Sequence, residues 1–195
     1  MPAPPNRTDI RIHPLPYAAA LAVRALGDID LVIIHCTELP DLAMAREFGE
    51  RVLYADSGTG NCGHYYIDRD GGIVEFVDPR HIAHHTRGYN PRSLGIELVN
   101  TGRYPDWLDS RRQAMDEAYP EAQIKALIDL LGNLCTHIPS LHLIAGHEDL
   151  DLDEVEASDD PRVRVRRKLD PGPRFPWQQV LAEVPLQRLA AVQHL

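Results

Sequence analysis

The stretch LVIIHCTE, residues 31–38, decides the fold. Four aliphatic residues in a row, Leu31 to Ile34, have no polar alternation, so they describe a strand buried in a sheet rather than a solvent-facing one. The same strand ends on an imidazole, His35. A second run, LHLIAGHED (141–149), repeats the arrangement and delivers His147 at the end of its own apolar segment. Two buried strands that each finish on histidine place both rings at a rim of the sheet.

Working outward, the pattern predicts strands at 30–36, 93–100 and 141–145, and two short strands within 64–78 around the hairpin signal Asp70-Gly71-Gly72. Residues 119–139 carry apolar positions at 124, 127, 128, 131, 134 and 135, the spacing of an amphipathic helix. Further helices are expected at 40–53 and 176–184, each with proline near its start, and at 17–28, which has helix-forming composition and a Gly27 stop. Strands interspersed with helices, plus a hairpin, predict an α/β (mixed α+β) fold: a central mixed β-sheet flanked by helices. The expected organisation is an N-terminal arm and short helix over 1–29, one domain over 30–184, and a C-terminal tail over 185–195.

With 195 residues, 44% hydrophobic and 25% charged, the chain suits a single globular core. A net charge of -9 argues against nucleic acid or an anionic membrane as a partner. No run reaches the roughly 18–20 apolar residues of a membrane span. The proline-rich start MPAPPNRTDIRIHPLP lacks the apolar segment of a secretory signal, so the expected location is the cytoplasm. Three cysteines without CxxC spacing indicate neither a disulfide framework nor a four-thiolate metal site.

Zinc is commonly held by histidine nitrogens and a carboxylate, with a position left for water in sites that do chemistry. KLDPGP supplies a carboxylate, Asp170, ahead of a Pro-Gly-Pro turn that stiffens its backbone. A strand-end histidine is more often simply hydrogen-bonded or exposed, and spacing alone leaves both readings of His35, His147 and Asp170 open.

The full set of blocks, VIIHCTE, GHYYIDRDGGIVEFV, HHTRG, SLGIELVN, LIAGHEDL and KLDPGPRFPW, occurs in order over about residues 30–182. It resembles the type 2 N-acetylmuramoyl-L-alanine amidases, a zinc-amidase family that includes phage lysozyme-amidases, bacterial muropeptide-recycling amidases and animal peptidoglycan recognition proteins. The resemblance implies one zinc ion bound by His35, His147 and Asp170. It implies Glu97 of GIEL as a catalytic carboxylate and Lys168 as a catalytic lysine, with His64 and His85 as groove residues that orient substrate or ligands. Gly63 stands where phage-type members have tyrosine, so the match is to the cytoplasmic muropeptide-recycling branch. His84 stands where that branch tends to have tryptophan.

The implied activity is hydrolysis of the amide between N-acetylmuramic acid and L-alanine, with peptidoglycan fragments or muropeptides as partners. The alternatives are a peptidoglycan-binding module without activity, or a wall-lytic toxin exported by a dedicated machine. One departure from the family is large. Between His147 and Lys168 the chain inserts residues 148–167, with eight acids over 148–160 followed by five bases over 162–168. Blocks of like charge are usually solvated or disordered, which is the expectation for the acidic half. In RVRVRRK, valines alternating with arginines predict a short strand with one charged face.

Overall fold

The computed structural model describes residues 10–189. Its centre is a seven-stranded mixed sheet ordered β1-β4-β3-β5-β2-β6-β9. The strands are β1 (Ile10–Ile12), β2 (Leu31–Cys36), β3 (Tyr65–Ile67), β4 (Ile73–Glu75), β5 (Ser93–Leu98), β6 (Leu143–Gly146) and β9 (Gln187–Arg188), while β7 (Glu154–Glu156) and β8 (Arg164–Arg166) form a separate pair. β3 and β4 make the expected antiparallel hairpin, and the other neighbours in the large sheet run parallel. At its turn Gly71 takes φ +90°, and a Cβ there would lie 2.9 Å from the Ala122 carbonyl oxygen, so only glycine fits.

Parallel neighbours need long connections, and these carry the helices α1 (Leu42–Gly49), α2 (Glu121–His137), the single turn α3 (His147–Leu150) and α4 (Trp177–Glu183). α1 starts where the Asp41 carboxylate accepts from the Met44 amide at 2.8 Å. All six residues of β2 are buried, and alternation sorts them between two faces. Val32 and Ile34 pack with Ile96, Ile144 and the Leu127, Leu131 side of α2. Leu31 and Ile33 belong to a cluster on the opposite face. His35 falls in line with Ile33, and on β5 Glu97 falls in line with Ser93 and Gly95. The chemistry is therefore on the face that α2 leaves free.

Three segments differ from the sequence expectation. Residues 17–28 form two short 3-10 turns, Ala18–Ala20 and Leu26–Asp28, rather than a helix. Tertiary pairing overrides helix propensity there: Val23 bridges His81, and the Arg24 guanidinium donates to the carbonyls of Pro79, Asn90 and Ser93 at 2.8–2.9 Å. Within the stretch expected as a tail, Gln187 and Arg188 pair with Leu143 and Ile144 as the sheet's edge strand. Residues 1–9 of the arm and 190–195 of the tail lie outside the described residues.

The third difference lies in the insertion. Its acidic half is solvated, as one of the two expectations had it, with Asp153, Glu154, Glu156 and Asp159 exposed, but it is ordered and supplies β7, which pairs antiparallel with the arginine strand β8. Glu154 faces Arg166 and Glu156 faces Arg164, so opposite charges meet across the ladder. Val155 faces Val165, which is buried. The tip is docked as well: Asp159 accepts from the Ser110 amide at 2.7 Å and its hydroxyl at 2.8 Å, and the Ser158 amide donates to the Leu108 carbonyl at 2.8 Å.

Candidate metal centre and groove

The parallel pairing of β2 with β6 places Ile34 beside Gly146, so the two strands deliver His35 and His147 side by side. Their ring centroids are 4.6 Å apart. Asp170, from the loop before α4, places Oδ2 2.9 Å from His35 Nδ1 and 3.1 Å from His147 Nδ1. Its backbone is fixed where the Glu148 amide donates to the Asp170 carbonyl at 2.9 Å and the Tyr119 hydroxyl to the Pro171 carbonyl at 2.6 Å. All three side chains are buried, and one ligand atom from each lies within 4.8 Å of the others. Burial pushes His35 down to about 4, the hydrogen bond that its Nδ1 donates to Asp170 opposing only in part, which favours the neutral ring. Asp170 Oδ1 is buried without a hydrogen-bond partner. Two imidazoles and a carboxylate with an open acceptor form a donor set that suits zinc.

The cluster opens onto a groove of about 900 Å³ whose wall includes Glu97, His85, Arg103, Arg167 and Lys168. Burial pushes the Glu97 carboxyl up to about 8, the charge of Asp170 adds to the rise, and the Lys168 ammonium draws it back. Gly63 is beside it: a Cβ at that position would lie 2.7 Å from Glu97 Cγ. The space that a side chain at position 63 would fill is thus occupied by Glu97.

His85 is on the groove wall, its Nδ1 3.1 Å from His35 Nε2 and from Thr86 Oγ1. His64 is not. It is fully buried behind His85, with ring centroids 5.7 Å apart, where its Nδ1 accepts from the Gly95 amide at 3.0 Å. The resemblance implies His64 as a groove residue that orients substrate or ligands; its ring has no exposed surface, and its Nε2 lies 3.0 Å from the His81 carbonyl. His84 packs against Tyr54 at the groove lip with ring centroids 5.2 Å apart.

Four residues around the cluster were not singled out from the sequence. Asp151, buried, has Oδ2 3.8 Å from His147 Nε2 and accepts a close hydrogen bond from Arg167. Glu38 and Arg103 form a buried ion pair beneath the insertion. Asp151 thus faces the second nitrogen of His147 from just beyond hydrogen-bond distance. No spacing signal marks these residues, because their partners lie in separate loops.

A mixed sheet with a His-His-Asp cluster at the rim of an open groove defines a class of fold and site that comparisons with known proteins make specific. Residues 25–173 match the family model described as N-acetylmuramoyl-L-alanine amidase, and the chain belongs to that family. It is similar to the N-acetylmuramoyl-L-alanine amidase AmiD of Escherichia coli K12, 36% identical over 93 residues that cover 47% of this chain and 27% of that protein. It is also similar to the endolysin of Escherichia phage T7, 29% identical over 122 residues, 61% of this chain and 75% of that one. In structure it resembles the endolysin LysCS of Clostridium intestinale, with a TM-score of 0.63 at 20% identity over 96% of this chain and 98% of that one. The solved complex of AmiD with anhydro-N-acetylmuramic acid-L-Ala-D-gamma-Glu-L-Lys gives a TM-score of 0.56 at 24% identity, covering 83% of this chain and 60% of that one. Among the described residues no helix is long and apolar enough to cross a membrane.

Proposed function

We propose that the protein is a zinc-dependent N-acetylmuramoyl-L-alanine amidase that cuts the amide between N-acetylmuramic acid and L-alanine in peptidoglycan or its muropeptide fragments. The observation that carries this reading is the buried convergence of His35, His147 and Asp170 on the wall of the groove that also holds Glu97 and Lys168. In the proposal the three cluster residues hold one zinc ion. Bound there, it would supply a Lewis acid for the scissile carbonyl and make the attacking water more acidic.

Glu97 takes the proton from the attacking water and passes it to the leaving nitrogen, as a positioned carboxylate can. Burial favours the protonated carboxyl of Glu97, the direction that helps a carboxylate hold the proton between water and nitrogen. Lys168 offers a positive charge to the oxygen on which negative charge develops. His85 and Thr86 steady the far nitrogen of His35, and Asp151 faces that of His147.

The test is elemental analysis paired with release of peptide from a muropeptide. About one zinc per chain is expected, with activity lost to a chelator and restored by zinc. Full hydrolysis by metal-free protein would overturn the proposal. Binding of muropeptide with zinc present and no cleavage would favour a recognition module.

A further inference from the structure

The insertion separates Lys168 from His147, yet its base is not free. Arg103, almost fully buried, meets Glu38 in a two-pronged contact: Nε to Oε1 at 2.7 Å and Nη2 to Oε2 at 2.8 Å. The same guanidinium reaches past Glu38 to the insertion. Its Nη1 donates to the Arg166 carbonyl at 3.0 Å and to Gln113 Oε1 at 3.1 Å, and its Nη2 to the Arg167 carbonyl at 3.3 Å. Arg166 and Arg167 are the two residues that precede Lys168. We infer that Arg103, oriented by Glu38, is a positioning residue that fixes the backbone at 166–167 and so sets where the Lys168 ammonium reaches in the groove it shares with Glu97. The inference rests on the role proposed for Lys168 above.

Three observations support it. Lys168 makes no hydrogen bond or ion pair of its own among the described residues, so its backbone decides where its charge can reach. Lys168 lines the same groove as Glu97, His35 and Asp170. Glu38, in turn, has φ +49°, the only non-glycine residue with positive φ among the described residues. A left-handed glutamate costs energy and persists where its surroundings hold it. Here its side chain is bound by Arg103, its carbonyl accepts from Trp107 Nε1 at 3.1 Å, and Gly102 packs so close that a Cβ would lie 2.7 Å from Glu38 Cγ. Only a planar fork satisfies a carboxylate and two carbonyls together, so a lysine at 103 cannot replace it.

The experiment is a double-mutant cycle on the zinc-loaded protein. Arg103→Lys keeps a positive charge beside Glu38 and gives up the fork. Expected are parental zinc content, nearly unchanged KM and a kcat lowered about ten- to a hundredfold, the scale of a misplaced group. In a Lys168→Ala background, itself slow, the same substitution should alter kcat by less than about twofold, because its effect passes through Lys168. If Arg103→Lys does not fold, the pair Glu38→Gln with Arg103→Met removes both charges and leaves neither stranded, and it enters the same cycle. Equal losses with and without Lys168 would overturn the inference, as would parental kcat in the folded Arg103 variant. Parental kcat in Lys168→Ala alone would instead remove Lys168 from the proposed function, and with it the group that Arg103 is said to position.

Discussion

Glu97 lies directly across from His35 in the parallel pairing of β5 with β2. Adjacent strands are about 4.8 Å apart, so the sheet itself fixes the separation between the proposed proton carrier and a proposed metal ligand. Glu97→Gln keeps shape and hydrogen-bonding size but loses basicity. Zinc content should stay at the parental level while kcat falls by about 10²–10⁴. Parental turnover would remove Glu97 from the reaction, and loss of zinc would make it part of the metal site.

Gly63 is open to a sharper test. Because a Cβ there would meet Glu97 Cγ at 2.7 Å, Gly63→Ala must push the carboxylate from its place. The Glu97 side chain is flexible, so the fold should tolerate the change. Turnover should fall about ten- to a hundredfold at unchanged zinc content, since misplacing a reacting group by an ångström is that costly. An alanine variant with parental kcat would show that Glu97 acts equally well from a shifted position.

Burial also makes stability depend on pH in the metal-free protein. Glu97 is raised from 4.5 to about 8, so the folded state holds this proton more tightly than the unfolded chain. Its contribution to stability is full below pH 4.5 and is lost progressively as pH rises to about 8. The loss runs at up to about 1.4 kcal/mol per pH unit. Glutamine at 97 does not titrate. The melting temperature of metal-free Glu97→Gln relative to the parent should therefore climb between those limits and level off above them. A difference that is flat across this range would mean that Glu97 ionises freely in the folded state.

Parts of the candidate site are local, and these stood out as candidates in the sequence. Leu31–Ile34 ending on His35, the second apolar run ending on His147, and Asp170 ahead of Pro171 each show within a few residues, but only the family resemblance joins them, and it alone points to Glu97 and Lys168. The sheet and its flanking helices follow from the same hydrophobic patterns. What the sequence hid is long-range. Nothing near Glu38 names Arg103 as its partner 65 residues away, and nothing near Asp151 says that it will face His147. Residues 17–28 have helical composition, but Arg24 finds three carbonyl acceptors at 2.8–2.9 Å that a helix would deny it. A block of like charge predicts a solvated or disordered acidic half. Its acids are largely exposed, but the segment is ordered, because Glu154 and Glu156 face Arg166 and Arg164 across a ladder that no local pattern reveals.

That ladder allows the insertion to be shortened without disturbing its base. Glu156 and Arg164 are paired, so residues 157–163 can be replaced by Asn-Gly, a two-residue turn suited to closing an antiparallel pair. The change removes the Ser158 and Asp159 contacts to Leu108 and Ser110. Trp107 and Leu108 form part of the groove wall, so the tip now steadies a surface that substrate would meet. The base is untouched: Arg103 still holds the Arg166 and Arg167 carbonyls, and Arg166 still donates to the Glu148 and Asp151 carbonyls at 2.8 and 2.9 Å. Binding and chemistry should therefore separate. Zinc content and kcat should match the parent, while KM rises several-fold as the 106–112 loop loses its support; amide hydrogen exchange in that loop should quicken. A fall in kcat with KM unchanged would mean that the tip, and not the base, sets the position of Lys168. Identical kinetics and exchange would leave the tip as a surface decoration on a groove that holds its own shape.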